Sequence, residues 1–189
     1  QDVGMVTWND LKNECLACNK CELSRTAKNV VIGRGNENAS LMFVGEGPGK
    51  EEDEQGLPFV GKAGQLLDHL LNAIPFQPDE YYITNIVKCR PEGNRDPSDE
   101  EAQNCLPHLR NQFRLMRPKI IVCLGRISAK YLIHPDFKIT QNRGKWFDKG
   151  GTKMMAVYHP AYLLRNEKEK VTQWNDFMEI RKALNEYIK

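Results

Sequence analysis

The sequence predicts an α/β fold, a three-layer α/β/α sandwich with a central, mostly parallel, four-stranded sheet. Three observations carry this. Four short apolar runs, at 41–45, 82–87, 120–125 and 154–158, read as buried strands. Stretches of helical periodicity fill the gaps between them, and that alternation places helices on both faces of a parallel sheet. The run Ile120-Ile121-Val122-Cys123-Leu124 is apolar on both faces, as a central strand of such a sheet must be.

The helices follow from spacing and caps. Over 63–74, Leu66, Leu67, Leu70, Leu71 and Ile74 fall on one stripe. Ser98 with Glu101 three residues on is a capping box, starting a helix that runs to about Leu115. A short helix is expected over 126–133 and a long amphipathic one over 171–188. The stretch GEGPGKEEDEQGLPFVGKAG at 45–64 is rich in Gly and Pro and is expected to hold no ordinary helix or strand. We find no internal repeat, linker or low-complexity segment.

The length of 189 residues suits one compact domain, read as 5–189, with Gln1 to Gly4 taken as foreign residues ahead of a natural start at Met5. With 27 Lys and Arg against 25 Asp and Glu, net charge neither argues for nor excludes a nucleic-acid partner; only a local patch would matter. No apolar run approaches the ~20 residues of a membrane span, and no signal-peptide architecture opens the chain. A cytoplasmic protein with no membrane partner is expected. Three disulfides are a poor reading of the six cysteines, because a chain this long and this well supplied with core residues has no need of them.

In a parallel sheet, ligands bind at the carboxyl ends of the strands. There this sequence places Gly45-Glu46-Gly47-Pro48-Gly49, then Asn85 to Arg90, Gly125-Arg126 and His159-Pro160-Ala161-Tyr162. The glycine loop lacks the Lys-Ser/Thr of a P-loop and the G-x-G-x-x-G spacing, so it is a weak nucleotide signal. Phe59, between Pro58 and a nearby Gly, either presents an aromatic face to a cleft or belongs to the core. Asn85 is a primary amide in an apolar run, and a buried amide must be bonded or it costs about 1–3 kcal/mol. It either braces a loop or reads a ligand. His159, set by Pro160 beside other polar strand ends, is a catalytic candidate. His69, His108 and His134 are given no role.

Cysteines mark a second feature. A C-x-x-C knuckle near the N-terminus is followed far downstream by Cys89-x15-Cys105, and four thiolates in that arrangement suit either Zn or an iron–sulfur cluster. Cys15-x-x-Cys18-x-x-Cys21 offers two registers for the knuckle. Ligands drawn from both ends of a long segment would staple it shut, so the metal would contribute to folding. Cys123, inside an apolar strand, reads as an inert core thiol.

Taken in order, these pieces resemble the family-4, iron–sulfur branch of the uracil-DNA glycosylase superfamily. The resemblance rests on Cys18-x-x-Cys21-x-Leu23, GEGPGKEEDEQGLPFVGKAG, YITNIVKCRP with Asn94-Arg95, Cys89-x15-Cys105, Ile139 to Gly144 and YHPAYLLRN, and covers nearly the whole chain from Cys18. It implies a [4Fe–4S] cluster held by Cys18, Cys21, Cys89 and Cys105. The family's gap-free run from its second cysteine to the Val-Val-x-Gly turn fits only from Cys21. It also implies that the chain hydrolyses the N-glycosidic bond of deoxyuridine in DNA, single- or double-stranded, flipping the base out and initiating base excision repair. In this picture Phe59 stacks under uracil, Asn85 reads its Watson–Crick edge, and Glu52 crowds C5 against thymine's methyl. His159 donates to O2, and Glu46, beside Gly47, stabilises the sugar's developing positive charge or positions water. Leu163 or Leu164 would fill the gap left in the DNA, with Arg165 on a phosphate. A monomer is expected. The alternatives are a non-catalytic iron–sulfur DNA-binding module associated with replication, a covalently trapping glycosylase, whose inserted basic loop is missing here, and a Zn-stapled nucleotide-binding protein.

Overall fold

A computed structural model gives the fold of residues 7–19 and 22–187. Among these residues the sheet has six strands rather than the four expected. The four central ones are β2 (Leu41–Gly45), β3 (Tyr81–Asn85), β4 (Ile120–Leu124) and β6 (Thr152–Val157), and they pair in parallel. Two short antiparallel edge strands are added, β1 (Arg34–Gly35) against β3 and β5 (Trp146–Lys149) against β6. β1 is too short to leave a period. β5 and β6 form a hairpin closed by Gly150 and Gly151, both at positive φ (59° and 88°), the two-residue turn in which glycine carries no steric cost.

The strand order is β1-β3-β2-β4-β6-β5. From β2 the chain moves to one side, into β3, then crosses back to β4 on the other side. That reversal opens a crevice at the carboxyl end of β2.

Side chains along β2 alternate between two apolar layers. Leu41 and Phe43 face α4 (Lys62–Ala73) and α9 (Lys170–Asn185), packing with Leu67, Leu71, Ile180 and Leu184, and Phe43 stacks on Phe177 with centroids 5.7 Å apart. Met42 and Val44 face α5 (Asp99–Met116) and α6 (Arg126–Leu132), through Leu106, Leu109 and Ala129. Burying each such large side chain contributes about 1.5–3 kcal/mol. On this second face α1 (Trp8–Leu16) lies against α5, followed by the single turn α2 (Leu23–Thr26). Ser98 caps α5, as its spacing requires.

One expectation is corrected. The glycine-rich stretch holds a real helix, α3 (Lys50–Gln55), between N-cap Gly49 and C-cap Gly56 (φ 76°). The residues between those glycines, KEEDEQ, are mostly good helix formers, and three carboxylates sit in the first turn, where the helix dipole favours them. Buried Asp53 pins α3 by accepting from the amides of Lys28 (2.8 Å) and Asn29 (3.1 Å). The remaining helices are short: α7 (Ile139–Asn142) and α8 (Pro160–Arg165). None of the described helices is long and apolar enough to cross a membrane.

Candidate active site

The loops at the carboxyl ends of β2, β3 and β6 enclose a cleft of about 490 Å³. Glu46, Gly47, Glu52, Phe59, Asn85, His159 and Arg165 all line it. The sheet topology thus brings together residues that are far apart in the chain.

Phe59 sits at φ 53°, a left-handed conformation uncommon for a bulky side chain. Two devices hold it there. Arg34, paired to Asp68 at 3.0 Å, donates to the carbonyls of Pro58 (2.8 Å) and Phe59 (3.0 Å). Gly64 lets α4 close on the turn, since a Cβ there would lie 2.0 Å from the Phe59 carbonyl. The ring is nearly buried yet borders the cleft, 5.6 Å from the His159 ring and tilted 33° to it.

Asn85 ends β3 and is 1 % exposed. Its side-chain carbonyl, Oδ1, finds no hydrogen-bond partner among the described residues. A buried acceptor left this way costs about 1–3 kcal/mol unless a ligand completes it. Gly45 leaves the space beside it: a Cβ there would come 2.5 Å from Asn85 Oδ1 and 2.6 Å from the Phe59 ring. Behind Asn85 lies fully buried Lys88, whose ammonium donates to the Asn85 backbone carbonyl (2.8 Å), Thr84 Oγ1 (2.7 Å) and Gln112 Oε1 (2.7 Å). All three N–H bonds are used, and they fix the end of the strand. Sequence reasoning passed over Lys88, although a lysine in the apolar run Ile-Val-Lys-Cys was its signal.

His159 is the N-cap of α8, and its Nδ1 accepts from the Ala161 amide at 3.0 Å. The ring proton therefore resides on Nε2. Burial pushes the pKa of His159 down to about 4, with Glu52 acting against the shift and Arg165 reinforcing it. Near neutral pH the residue is an uncharged imidazole with one fixed donor. The Tyr158 carbonyl just before it is held by Gln173 Nε2 at 2.8 Å, and Gly125 (φ 100°) allows close approach to its Cβ.

Both oxygens of Glu52 are committed to backbone amides, those of Gly49 (3.0 Å), Val60 (2.8 Å) and Gly61 (2.7 Å). It ties the start of α3 to the Phe59 turn and cannot swing away. Glu46 has the opposite environment. Burial, then a hydrogen bond with Asp96 and the charge of that carboxylate, raise its pKa to about 8, against the pull of Arg126. Asp96 belongs to the rim segment that Arg95 anchors through a two-pronged bond to Glu101 on α5, both contacts at 2.8 Å. The contribution of Asp96 was not legible beforehand, because the contact joins residues fifty positions apart.

The raised Glu46 pKa has a testable sign. Between the ordinary carboxylate range and about pH 8, the folded chain holds a proton that the unfolded chain releases, so this group makes stability fall as pH rises through that window. Glu46→Gln should therefore melt higher than the wild type at pH 8, by roughly a few degrees, and the gap should shrink toward pH 5. Thermal melts at the two pH values check this; an equal gap at both would contradict it.

In α8 the two leucines part ways. Leu163 is 2 % exposed and packs inside, whereas Leu164 is 44 % exposed beside cleft-lining Arg165. Of the pair, only Leu164 is open to a partner.

On the other side of Lys88 lies a small cavity walled by Leu23, Val30 and Val87, to which Cys15, Cys18, Cys89 and Cys105 all contribute. The Lys88 amide donates to Cys105 Sγ at 3.2 Å. Four thiols in an apolar enclosure, one accepting a backbone N–H, are a donor set suited to an iron–sulfur cluster. Cys21 lies outside the described residues, and among those described no group of three or more His, Cys, Asp or Glu is arranged to hold a single metal ion. Burial pushes the Cys15 thiol up to about 12. Cys123 is buried in β4, as expected of a core thiol.

An aromatic ring, a neutral imidazole and an unanswered amide carbonyl thus meet in one cleft at the carboxyl ends of the parallel strands. Comparison with known proteins gives the family. A family model described as the uracil DNA glycosylase superfamily matches residues 32–185. A type-4 uracil-DNA glycosylase of Archaeoglobus fulgidus is 41% identical over 186 residues, covering 93% of this chain and 92% of the relative. One from Thermotoga maritima is 42% identical over 156 residues, covering 82% and 81%. A type-5 uracil-DNA glycosylase of Pyrobaculum aerophilum is 30% identical over 146 residues, covering 68% and 64%. The chain belongs to the uracil DNA glycosylase superfamily.

Proposed function

We propose that the protein is a uracil-DNA glycosylase that flips deoxyuridine from DNA and hydrolyses its N-glycosidic bond, the first step of base excision repair. The observation that carries this reading is the buried, unpartnered Oδ1 of Asn85 beside Phe59. Uracil answers it: N3–H donates to Oδ1 while the amide NH2 donates to O4. Phe59 supplies the stacking face. Glu52, locked by three amides, stands as the fixed wall against a C5 methyl.

Cleavage builds negative charge on the departing base and positive character on the sugar. The Nε2–H of His159 is pre-aimed, and as a neutral donor to O2 it stabilises the first; removing such a donor typically costs about 10²–10³ in rate. Glu46, once ionised, stabilises the second, and Gly47, where a Cβ would come 2.7 Å from Val87, lets the cleft-lining loop pack against the segment after β3. Cys18, Cys21, Cys89 and Cys105 would hold a [4Fe–4S] cluster, which supplies a cross-link between the N-terminal segment, the end of β3 and α5. The protein would act as a monomer inside the cell, on single- or double-stranded DNA.

The reading is tested with a single-stranded oligonucleotide carrying one deoxyuridine, treated with the protein and then with hot alkali. Strand scission at that position alone is expected; an intact strand would overturn the reading. Exposed Leu164, as the side chain that fills the gap left by the flipped base, is tested separately. Unstacking costs a few kcal/mol, least when the base is already mispaired or single-stranded. Leu164→Ala should therefore slow release from a U·A duplex by about tenfold more than from U·G or single-stranded DNA. Equal losses on all three substrates would place Leu164 outside the groove.

A further inference from the structure

Lys88 occupies a place that a neighbouring strand would ordinarily fill. On its inner side the last rung of β3 is complete, for the Ile86 amide donates to the Gly45 carbonyl of β2 at 2.9 Å. A trans peptide points its carbonyl the opposite way, so the Asn85 carbonyl faces the outer edge of β3. There β1 pairs only with Tyr82 and Ile83 and stops short of Thr84 and Asn85. The Lys88 side chain folds back to answer that carbonyl at 2.8 Å, bracing itself on Thr84 Oγ1 and on Gln112 Oε1 of α5. All three partners accept. The Thr84 hydroxyl gives its own hydrogen to the Ile32 carbonyl (2.7 Å), and Gln112 Nε2 donates there too (3.1 Å). Taking an ammonium out of water is costly even when it is fully bonded, and a single carbonyl could be answered by a neutral group or by water. These bonds act on Asn85. Its Oδ1 has no hydrogen-bond partner of its own among the described residues, so the amide takes its aim from the backbone beneath it.

We propose that Lys88 is the positioning residue of the base reader: by standing in for the missing edge strand it fixes the Asn85 peptide, and so the direction in which the Asn85 amide meets the base. The proposal rests on reading Asn85 as the group that meets uracil. Lys88 is 1 % exposed and does not line the cleft, so it acts through Asn85 rather than on the substrate. An amide tells uracil from cytosine only if its carbonyl and NH2 stand at set positions. A misplacement of about 1 Å can cost on the order of 10²-fold in rate.

The test is a double-mutant cycle on single-turnover uracil release from a single-stranded deoxyuridine oligonucleotide. It uses wild type, Lys88→Met, Asn85→Ala and the double variant, with melting temperature and iron content measured alongside. Lys88→Met, which keeps the stem and removes the donors, should slow release about 10²-fold. In the Asn85→Ala background the same change should cost less than about threefold, because the group it positions has gone. A Lys88→Met protein as fast as the wild type would overturn the proposal. So would a loss of about tenfold or more in the Asn85→Ala background, which is what a merely structural role gives. Should Lys88→Met fail to accumulate, or to hold iron as the wild type does, Thr84→Val decides by the same cycle, since it keeps the shape of the strand and removes one anchor of the ammonium. A loss of about tenfold that vanishes beside Asn85→Ala supports the proposal, whereas no loss, or a loss undiminished there, overturns it. An Asn85→Ala protein as fast as an active wild type would remove Asn85 from the base, and the proposal with it. A wild type that releases no uracil would instead sink the glycosylase reading beneath both.

Discussion

Asn85→Asp should release uracil about 10³-fold more slowly than the wild type while melting within a few degrees of it. The substitution changes one group, NH2 to oxygen, at a site that is 1 % exposed. A carboxylate there meets uracil O4 acceptor to acceptor, and a site built to hydrogen-bond one partner typically rejects a mismatched one by 10⁴–10⁵. Cytosine is only half accommodated, since its amino group can donate to the carboxylate but its bare N3 would require a protonated one. Single-turnover release from a uracil oligonucleotide measures the effect. A rate equal to the wild type would remove Asn85 from the base-reading wall.

The second large effect is expected from Cys89→Ala, which should lose iron and soluble protein together. Cys89 follows directly on Lys88, and the Lys88 carbonyl accepts from Val31 at 2.7 Å, so the cavity wall, the N-terminal segment and the end of β3 share one anchor. The Lys88 ammonium has no carboxylate in contact with it among the described residues; its nearest opposite charges would be the thiolates of Cys105 and Cys15. Cys89 is not itself one of those partners, so the expected loss comes through the cluster. Without iron the thiols of the cavity reprotonate and leave Lys88 without an opposite charge. Removing the partner of a buried charge costs about 3–5 kcal/mol, a large share of a domain's stability. Iron assay and the yield of soluble protein check this. A Cys89→Ala protein that stayed soluble, melted unchanged and kept its iron would show that Cys89 is not a ligand.

The central strands and large helices were legible in the sequence because apolar period and cap chemistry are local signals. Ile120 to Leu124 reads as a central strand and is one, and Ser98 with Glu101 starts α5 where the capping box says. α3 was missed because glycines at both ends mask a six-residue helix, and its stability comes from Asp53 and Glu52 reaching out to other segments. The candidate site was legible as a set of odd residues at strand ends. Their interactions were not. Nothing local says that Phe59 takes a left-handed backbone, that Glu52 serves three amides, or that Asp96 meets Glu46. The choice between Leu163 and Leu164 likewise needed the packing of α8, which buries the first and leaves the second open. At the thiol cavity, spacing offered two knuckles, and the structure brings Cys15 to the wall that the family pattern leaves to others.

The central claim is that one slot, formed by Phe59, Asn85 and His159, accepts uracil and refuses its near relatives. The most direct measurement is a base panel under single turnover: identical single-stranded oligonucleotides carrying uracil, cytosine or thymine at one position, with the free base identified by mass spectrometry. Uracil should be released at least ~10³-fold faster than cytosine, which presents the reversed hydrogen-bonding edge to Asn85, and than thymine, which meets Glu52. Release of cytosine or thymine at a rate comparable to uracil, or release of no base at all, would contradict the account.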